Sequence, residues 1–172
     1  MKVIEGTVVV LDDNVGANSI IAPEYSLGKL TPEAGEHVFP KTDFSGDRKI
    51  YTGAILVAGE KFGHGSAREQ VVLALQQAGV KAMIARSFAP PFFRNAVNQG
   101  LPVFVSTETV ESVESGDELR IDFEAWSLTN LRTGDTFSAD PLPEFVRKIV
   151  DMGGVSSYMK EMIGRSAAAD GR

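Results

Sequence analysis

Glu60-Lys61-Phe62-Gly63-His64-Gly65-Ser66-Ala67-Arg68-Glu69-Gln70 is the stretch on which the reading of this chain turns. Before it, Ala54-Ile55-Leu56-Val57-Ala58-Gly59 is short, apolar and closed by glycine, the pattern of a buried strand. After it, Val71, Val72, Leu75 and Ala78 recur at helical spacing, which predicts a helix from Ala67 to near Gly79. The glycines therefore sit at a strand-to-helix junction. Gly63 and Gly65 permit a tight turn and a close approach of backbone to ligand. The first N–H groups of a helix lack intrahelical partners and carry partial positive charge, which suits a carboxylate or a phosphate. Arg68 adds a fork for a carboxylate, and Ser66 adds a hydroxyl. The same residues also read as a capping box, with Ser66 at the N-cap and Glu69 three residues on. Local pattern leaves both readings open. No G-K-[ST] follows the glycines, no G-x-G-x-x-G is present, and the G-x-S-x-G elbow is missing.

A chain of 172 residues is expected to form one domain with a real core, here assigned to residues 1–164, with a frayed tail over 165–172. Hydrophobic residues make up 43% and charged residues 23%, which is ordinary for a soluble globular protein. A net charge of −6 argues against nucleic acid or an anionic membrane as partner. Cysteine is absent, so this chain has no disulfide, no thiolate zinc site and no cysteine ligand for an iron–sulfur cluster. His37 and His64 lie far apart in sequence, and no metal site is expected. The N-terminal residues carry no signal-peptide pattern and no apolar run is long enough to span a membrane, so a cytoplasmic location is expected.

The rest of the chain alternates. Lys2 to Leu11 reads as a β-branched strand closed by the polar turn Asp12-Asp13-Asn14-Val15-Gly16. Residues 20–35 are irregular, with Thr31-Pro32-Glu33 predicting an N-cap and a proline-started short helix toward Phe39. Pro40 to Lys49 is a polar stretch expected to be an exposed, mobile loop. Val80 to Ala85 and Pro102 to Val105 are further strands. Between them a helix starts at Phe88-Ala89-Pro90-Pro91 and stops at Gly100. This order predicts βαβ units and a parallel sheet, with Arg86 and Ser87 at a strand C-terminus, where ligands bind in such sheets. Past residue 116 the period changes to strict alternation over 119–123, 126–131 and 136–138. Helices over 141–152 and 155–163 follow, split by Gly153-Gly154.

Phe62-Gly63-His64-Gly65-Ser66-Ala67-Arg68-Glu69 resembles the F-G-x-G-S-S-R-E signature of the aconitase superfamily, and more closely that of the small subunit of 3-isopropylmalate dehydratase. Four further stretches match in order. They are Asp13-Asn14-Val15 with Ser19-Ile20-Ile21, Ala85-Arg86-Ser87-Phe88-Ala89, Asn98-Gln99-Gly100-Leu101-Pro102, and Pro143-Glu144-Phe145 with Gly153-Gly154. The resemblance implies an α/β fold of the swivelling β/β/α type, with a mainly parallel sheet, additional strands and C-terminal helices. It implies a hydro-lyase subunit that isomerises a hydroxy acid by dehydration and rehydration. The partner would be a large, cysteine-bearing subunit whose [4Fe-4S] cluster acts as Lewis acid. By the same resemblance Ser66 takes the proton beside a carboxylate, Arg68 holds a carboxylate, and Gly65 and Ala67 line the substrate. Tyr25, Leu27 and Lys29 belong to a loop that reaches over it, with Asp13, Asn14 and Ser87 close by. Isopropylmalate is the first substrate implied. Citraconate/methylmalate, dimethylmalate, homoaconitate or a mevalonate-pathway acid are alternatives, as is a non-catalytic swivel domain that binds a dicarboxylate. The chain departs from the family at Ala17 and Asn18, where a threonine and an aspartate are usual, and at Ala67, where a second serine is usual.

Overall fold

The computed structural model describes residues 3–26, 31–40, 48–66 and 68–170. Leu27, Lys29, Ala67 and the polar stretch 41–47 lie outside the described residues. The strands are β1 (Val3–Val10), β2 (Ile55–Ala58), β3 (Ala82–Ala85), β4 (Val103–Val105), β5 (Glu118–Asp122), β6 (Ser127–Asn130) and β7 (Thr136–Ser138). They form one seven-stranded sheet in the order β4-β3-β2-β1-β5-β6-β7. The pairs β1–β2, β2–β3 and β3–β4 are parallel, whereas β1–β5, β5–β6 and β6–β7 are antiparallel. The helices are α1 (Ala17–Ile20), α2 (Pro23–Ser26), α3 (Glu69–Gln77), α4 (Pro90–Gln99), α5 (Thr107–Ser112), α6 (Glu144–Asp151) and α7 (Val155–Asp170).

The apolar runs of β2 and β3 are buried at every residue, as strands covered on both faces must be. Successive side chains of a strand point to opposite faces, so these strands feed two cores. Leu56, Ala58, Met83 and Ala85 pack with Val71, Val72, Leu75, Phe92 and Ala96 under α3 and α4. Ile55, Val57 and Ile84 pack with Val8, Phe104, Leu119, Ile121 and Leu128 on the other side. The second core is closed by the curl of the sheet and by α5, whose Val110 packs against it. Asp140 N donates to Val105 O at 2.8 Å, and Ser106 Oγ donates to Ser138 O at 2.8 Å, so the far ends of the strand order meet. Gly100 ends α4 at φ 72°, as its position in the sequence predicts.

Four local expectations change. Helix α3 begins at Glu69, not Ala67, and Ser66 does not cap it; Arg68 holds the N-cap position with extended backbone and no side-chain cap bond. Thr31-Pro32-Glu33 starts no α-helix. A 3₁₀ turn follows at Ala34–His37, with the Thr31 carbonyl accepting from Ala34 N at 3.2 Å, while Thr31 Oγ1 is buried without a partner among the described residues. Helix α7 runs past Ile163 to Asp170. Helix α5, which the alternation leaves unread, is capped by Ser106, whose Oγ accepts from Thr109 N.

The antiparallel half carries its own buried charge. Asp117 is 4% exposed and accepts from Asn130 Nδ2 at 2.7 Å and from Arg132 Nη2 at 3.2 Å. The Arg132 hydrogen bond outweighs desolvation and lowers the Asp117 pKa from 3.8 to about 2. A depressed carboxylate stabilises the fold fully above its unfolded pKa and loses that contribution as pH falls through its folded value. The parent protein should therefore lose stability between about pH 4 and pH 2, the window set by 3.8 and about 2. Asp117→Asn should lower Tm by several degrees at pH 7 and shrink the difference from the parent at pH 2; equal Tm differences at both values would count against this pair.

Candidate active site

Three loops leave the C-terminal ends of the parallel strands: residues 11–16 after β1, 59–68 after β2 and 86–89 after β3. Backbone hydrogen bonds tie them together. Asn14 N donates to Glu60 O and Gly63 N to Val15 O, both at 2.8 Å, and Ala17 N donates to His64 O at 2.8 Å. On the other flank Phe62 N donates to Ser87 O at 3.0 Å and Ala89 N to Phe62 O at 2.8 Å. Phe62 is fully buried and packs edge-on against Phe88 and Phe92, with ring centroids at 6.2 and 5.1 Å. The glycine loop is thus held by a ring at its base and by a hydrogen-bonded neighbour on each side.

Gly63 has φ 77°, and a Cβ there would lie 2.3 Å from Phe92 Cγ. A Cβ on Gly59 would lie 1.6 Å from Asp13 Oδ1. That vacancy of side chain lets the Asp13 carboxylate reach Glu60 N, from which it accepts at 2.7 Å. Gly65 has φ 84° and nothing within 4 Å of a Cβ position, so its bare backbone faces open space.

The residues singled out from sequence fall into separate groups. Ser66, Gly65 and Asn14 line one open concavity of about 260 Å³, together with Gly16, Ala17, Asn18, Ser19 and His64. Ser66 is exposed, and its carbonyl accepts from Arg68 N at 2.9 Å. Asp13 and Ser87 brace the loop instead: Ser87 Oγ accepts from Lys61 N at 2.9 Å, on a residue held at φ 54°. Arg68 turns toward α2, where its Nη2 donates to Ser26 Oγ at 2.9 Å. Arg68 Nε is buried with no hydrogen-bond partner among the described residues. Tyr25 lies flat on His37, with ring centroids 3.8 Å apart and planes 6° from parallel. Three residues to which sequence reasoning gave no role line the concavity. His64 has its Nε2 2.8 Å from Asn14 O, and its ring lies against Gly16, closing the side of the concavity. Asn18 and Ser19, supplied by the short helix α1, line the same concavity as Ser66. No group of three or more His, Cys, Asp or Glu residues is arranged to hold a metal among the described residues.

Residues 8–108 match the model of the aconitase C-terminal domain. The chain is 36% identical to the 3-isopropylmalate dehydratase small subunit of Caldanaerobacter subterraneus subsp. tengcongensis, over 92% of this chain and 99% of that one. This chain belongs to the small-subunit family of 3-isopropylmalate dehydratase, within the aconitase superfamily. It is 36% identical to the isopropylmalate/citramalate isomerase small subunit of Methanocaldococcus jannaschii, over 96% of this chain and 98% of that one. The crystal structure of 3-isopropylmalate dehydratase from the same organism superposes with a TM-score of 0.88 at 30% identity, covering 97% of this chain and 99% of that one. The aconitase X of Thermococcus kodakaraensis shares the fold alone, at 18% identity and a TM-score of 0.52. The dehydratase small-subunit fold therefore spans nearly the whole chain, including the antiparallel strands and C-terminal helices beyond residue 108.

The glycine loop should tolerate no side chain at its pivot. Gly63→Ala combines a left-handed backbone with a Cβ that overlaps the base of the Phe92 ring, and should cost roughly 2–5 kcal/mol in urea unfolding. A change within about 0.5 kcal/mol, the range of ordinary surface substitutions, would contradict this reading.

Proposed function

We propose that this chain is the small subunit of a two-chain hydro-lyase acting on 3-isopropylmalate, and that Ser66 moves the proton on the carbon beside a substrate carboxylate. The observation that carries the proposal is the state of Ser66. It stands in the segment resembling the superfamily signature, yet it is exposed at an open concavity and does not cap α3. A capping serine commits one Oγ lone pair to a backbone N–H and is held against the helix end; this one lies beside the bare backbone of Gly65, where a ligand can approach closely.

Arg68 is the proposed carboxylate ligand. Its guanidinium is charged at any physiological pH and forks to match two carboxylate oxygens. The unpartnered Nε supports this, since a buried donor without an acceptor is costly until one arrives. The start of α3 at Glu69 moves the positive helix end to the Arg68 side of the loop, which favours an anion near Arg68 more than an alkoxide on Ser66. Tyr25 is proposed to flank the substrate, with Leu27 and Lys29 following it in sequence.

A [4Fe-4S] cluster does not fit this chain, which has no cysteine and no ligand cluster among its described residues. We assign it to the large subunit that the relatives' designation as small subunits calls for; bound there, it supplies a Lewis acid for the substrate hydroxyl. A second substrate, citramalate, is kept open by the isomerase relative of M. jannaschii, whose name joins the two acids. We place the enzyme in the cytoplasm, the compartment that suits an oxygen-sensitive cluster; no helix among the described residues is long and apolar enough to cross a membrane.

The test is turnover of the chain reconstituted anaerobically with its large subunit, iron and sulfide. Isopropylmalate and citramalate are offered to the parent and to Ser66→Ala. The serine variant should assemble with unchanged Tm and lose on the order of 10²-fold or more in kcat, the scale of a removed proton-transfer group. Turnover within a factor of two of the parent would remove Ser66 from the chemistry.

A further inference from the structure

We propose that Ser26 is the positioning residue for Arg68. The inference rests on the reading of Arg68 as the carboxylate ligand and assigns a new residue to that site. Ser26 ends the short helix α2 and is fully buried, which is unusual for a hydroxyl unless it is bonded. Its Oγ accepts from Arg68 Nη2 at 2.9 Å and faces Ala22 O at 3.4 Å. No other protein acceptor holds the guanidinium among the described residues; Nε is left without one.

The backbone of Arg68 is fixed by different partners. Its N–H is held by Ser66 O at 2.9 Å, and its carbonyl accepts from Val71 N at 3.1 Å. Backbone bonds set where the side chain starts, but four side-chain torsions lie between Cα and the fork. An arginine gives up much rotamer freedom when it is held in one geometry. Ser26 spends that freedom before ligand arrives, so the fork is already aimed when a carboxylate meets it. A neutral hydroxyl suits this task. An aspartate in its place would pair with the guanidinium and compete with the ligand's own charge, whereas a serine oxygen takes one N–H and leaves the positive charge uncancelled.

Three variants of the full chain test this: Ser26→Ala, Ser26→Thr and Arg68→Lys. In the reconstituted enzyme Ser26→Ala should raise KM about tenfold and leave kcat within about twofold, the signature of weakened uniform binding. Ser26→Thr keeps the hydroxyl and should recover most of the loss. Ser26→Ala placed on Arg68→Lys should add little to the effect of Arg68→Lys alone. A second readout needs no turnover. In the full chain without its partner, nitrogen-resolved NMR should show slowed rotation of the Arg68 guanidinium, identified by its loss in Arg68→Lys, and averaging of that signal in Ser26→Ala at a retained Tm. A guanidinium that rotates freely in the parent, or whose signal is unchanged in Ser26→Ala, would overturn the proposal. If the NMR change appears but Arg68→Lys leaves KM unaltered, the anchoring stands and the assignment of Arg68 as carboxylate ligand fails.

Discussion

The Asp13 carboxylate bonded to the Glu60 N–H is the contact on which the site depends. It joins the ends of β1 and β2 at the point where both strands stop, and it exists only because Gly59 carries no side chain. With it in place, the turn after β1 lies alongside the glycine loop and a short ladder forms between them through Asn14, Val15 and His64. The concavity at Ser66 is the space left between those two strips of backbone. Asp13, which the family resemblance sets close to the substrate, also braces the loop by accepting one backbone hydrogen bond.

The loop is rigid at its base and open at its tip. Phe62 anchors one end within a cluster of three phenylalanine rings, and the Ser87 hydroxyl holds the neighbouring Lys61 in a left-handed conformation. Toward Gly65 and Ser66 the constraints fall away and exposure rises. Such a gradient suits a residue that must meet a ligand while the strands behind it stay fixed. The two serines also differ in their bonding: the Ser87 hydroxyl accepts from Lys61 N, whereas Ser66 does not cap α3.

Most of the framework was legible in the sequence because it rests on period and punctuation. Continuous apolar runs marked β2 and β3, alternation marked β5 and β6, and Gly100 marked the end of α4. The start of α3 was misread for a reason of tertiary origin. Ser66 and Glu69 have capping-box spacing, but Gln99 of α4 takes the Glu69 carboxylate at 2.6 Å, and Arg68 remains extended. Spacing cannot reveal a competitor thirty residues away. The bracing by Asp13 and Ser87 was hidden for the same reason. The Ser106 cap of α5, by contrast, lay in the local sequence Ser-Thr-Glu-Thr and was available to a closer reading.

Strand β1 is the hinge of the strand order, pairing parallel with β2 and antiparallel with β5. Its antiparallel partner comes very late: Val3 pairs with Asp122 and Thr7 with Glu118. During synthesis the first strand leaves the ribosome long before the segment that covers its second edge. A valine-rich strand with an unpaired edge is a template for other chains. The nascent protein must carry that open edge through the making of about two-thirds of its length, which makes the early chain dependent on protection from its neighbours until β5 arrives.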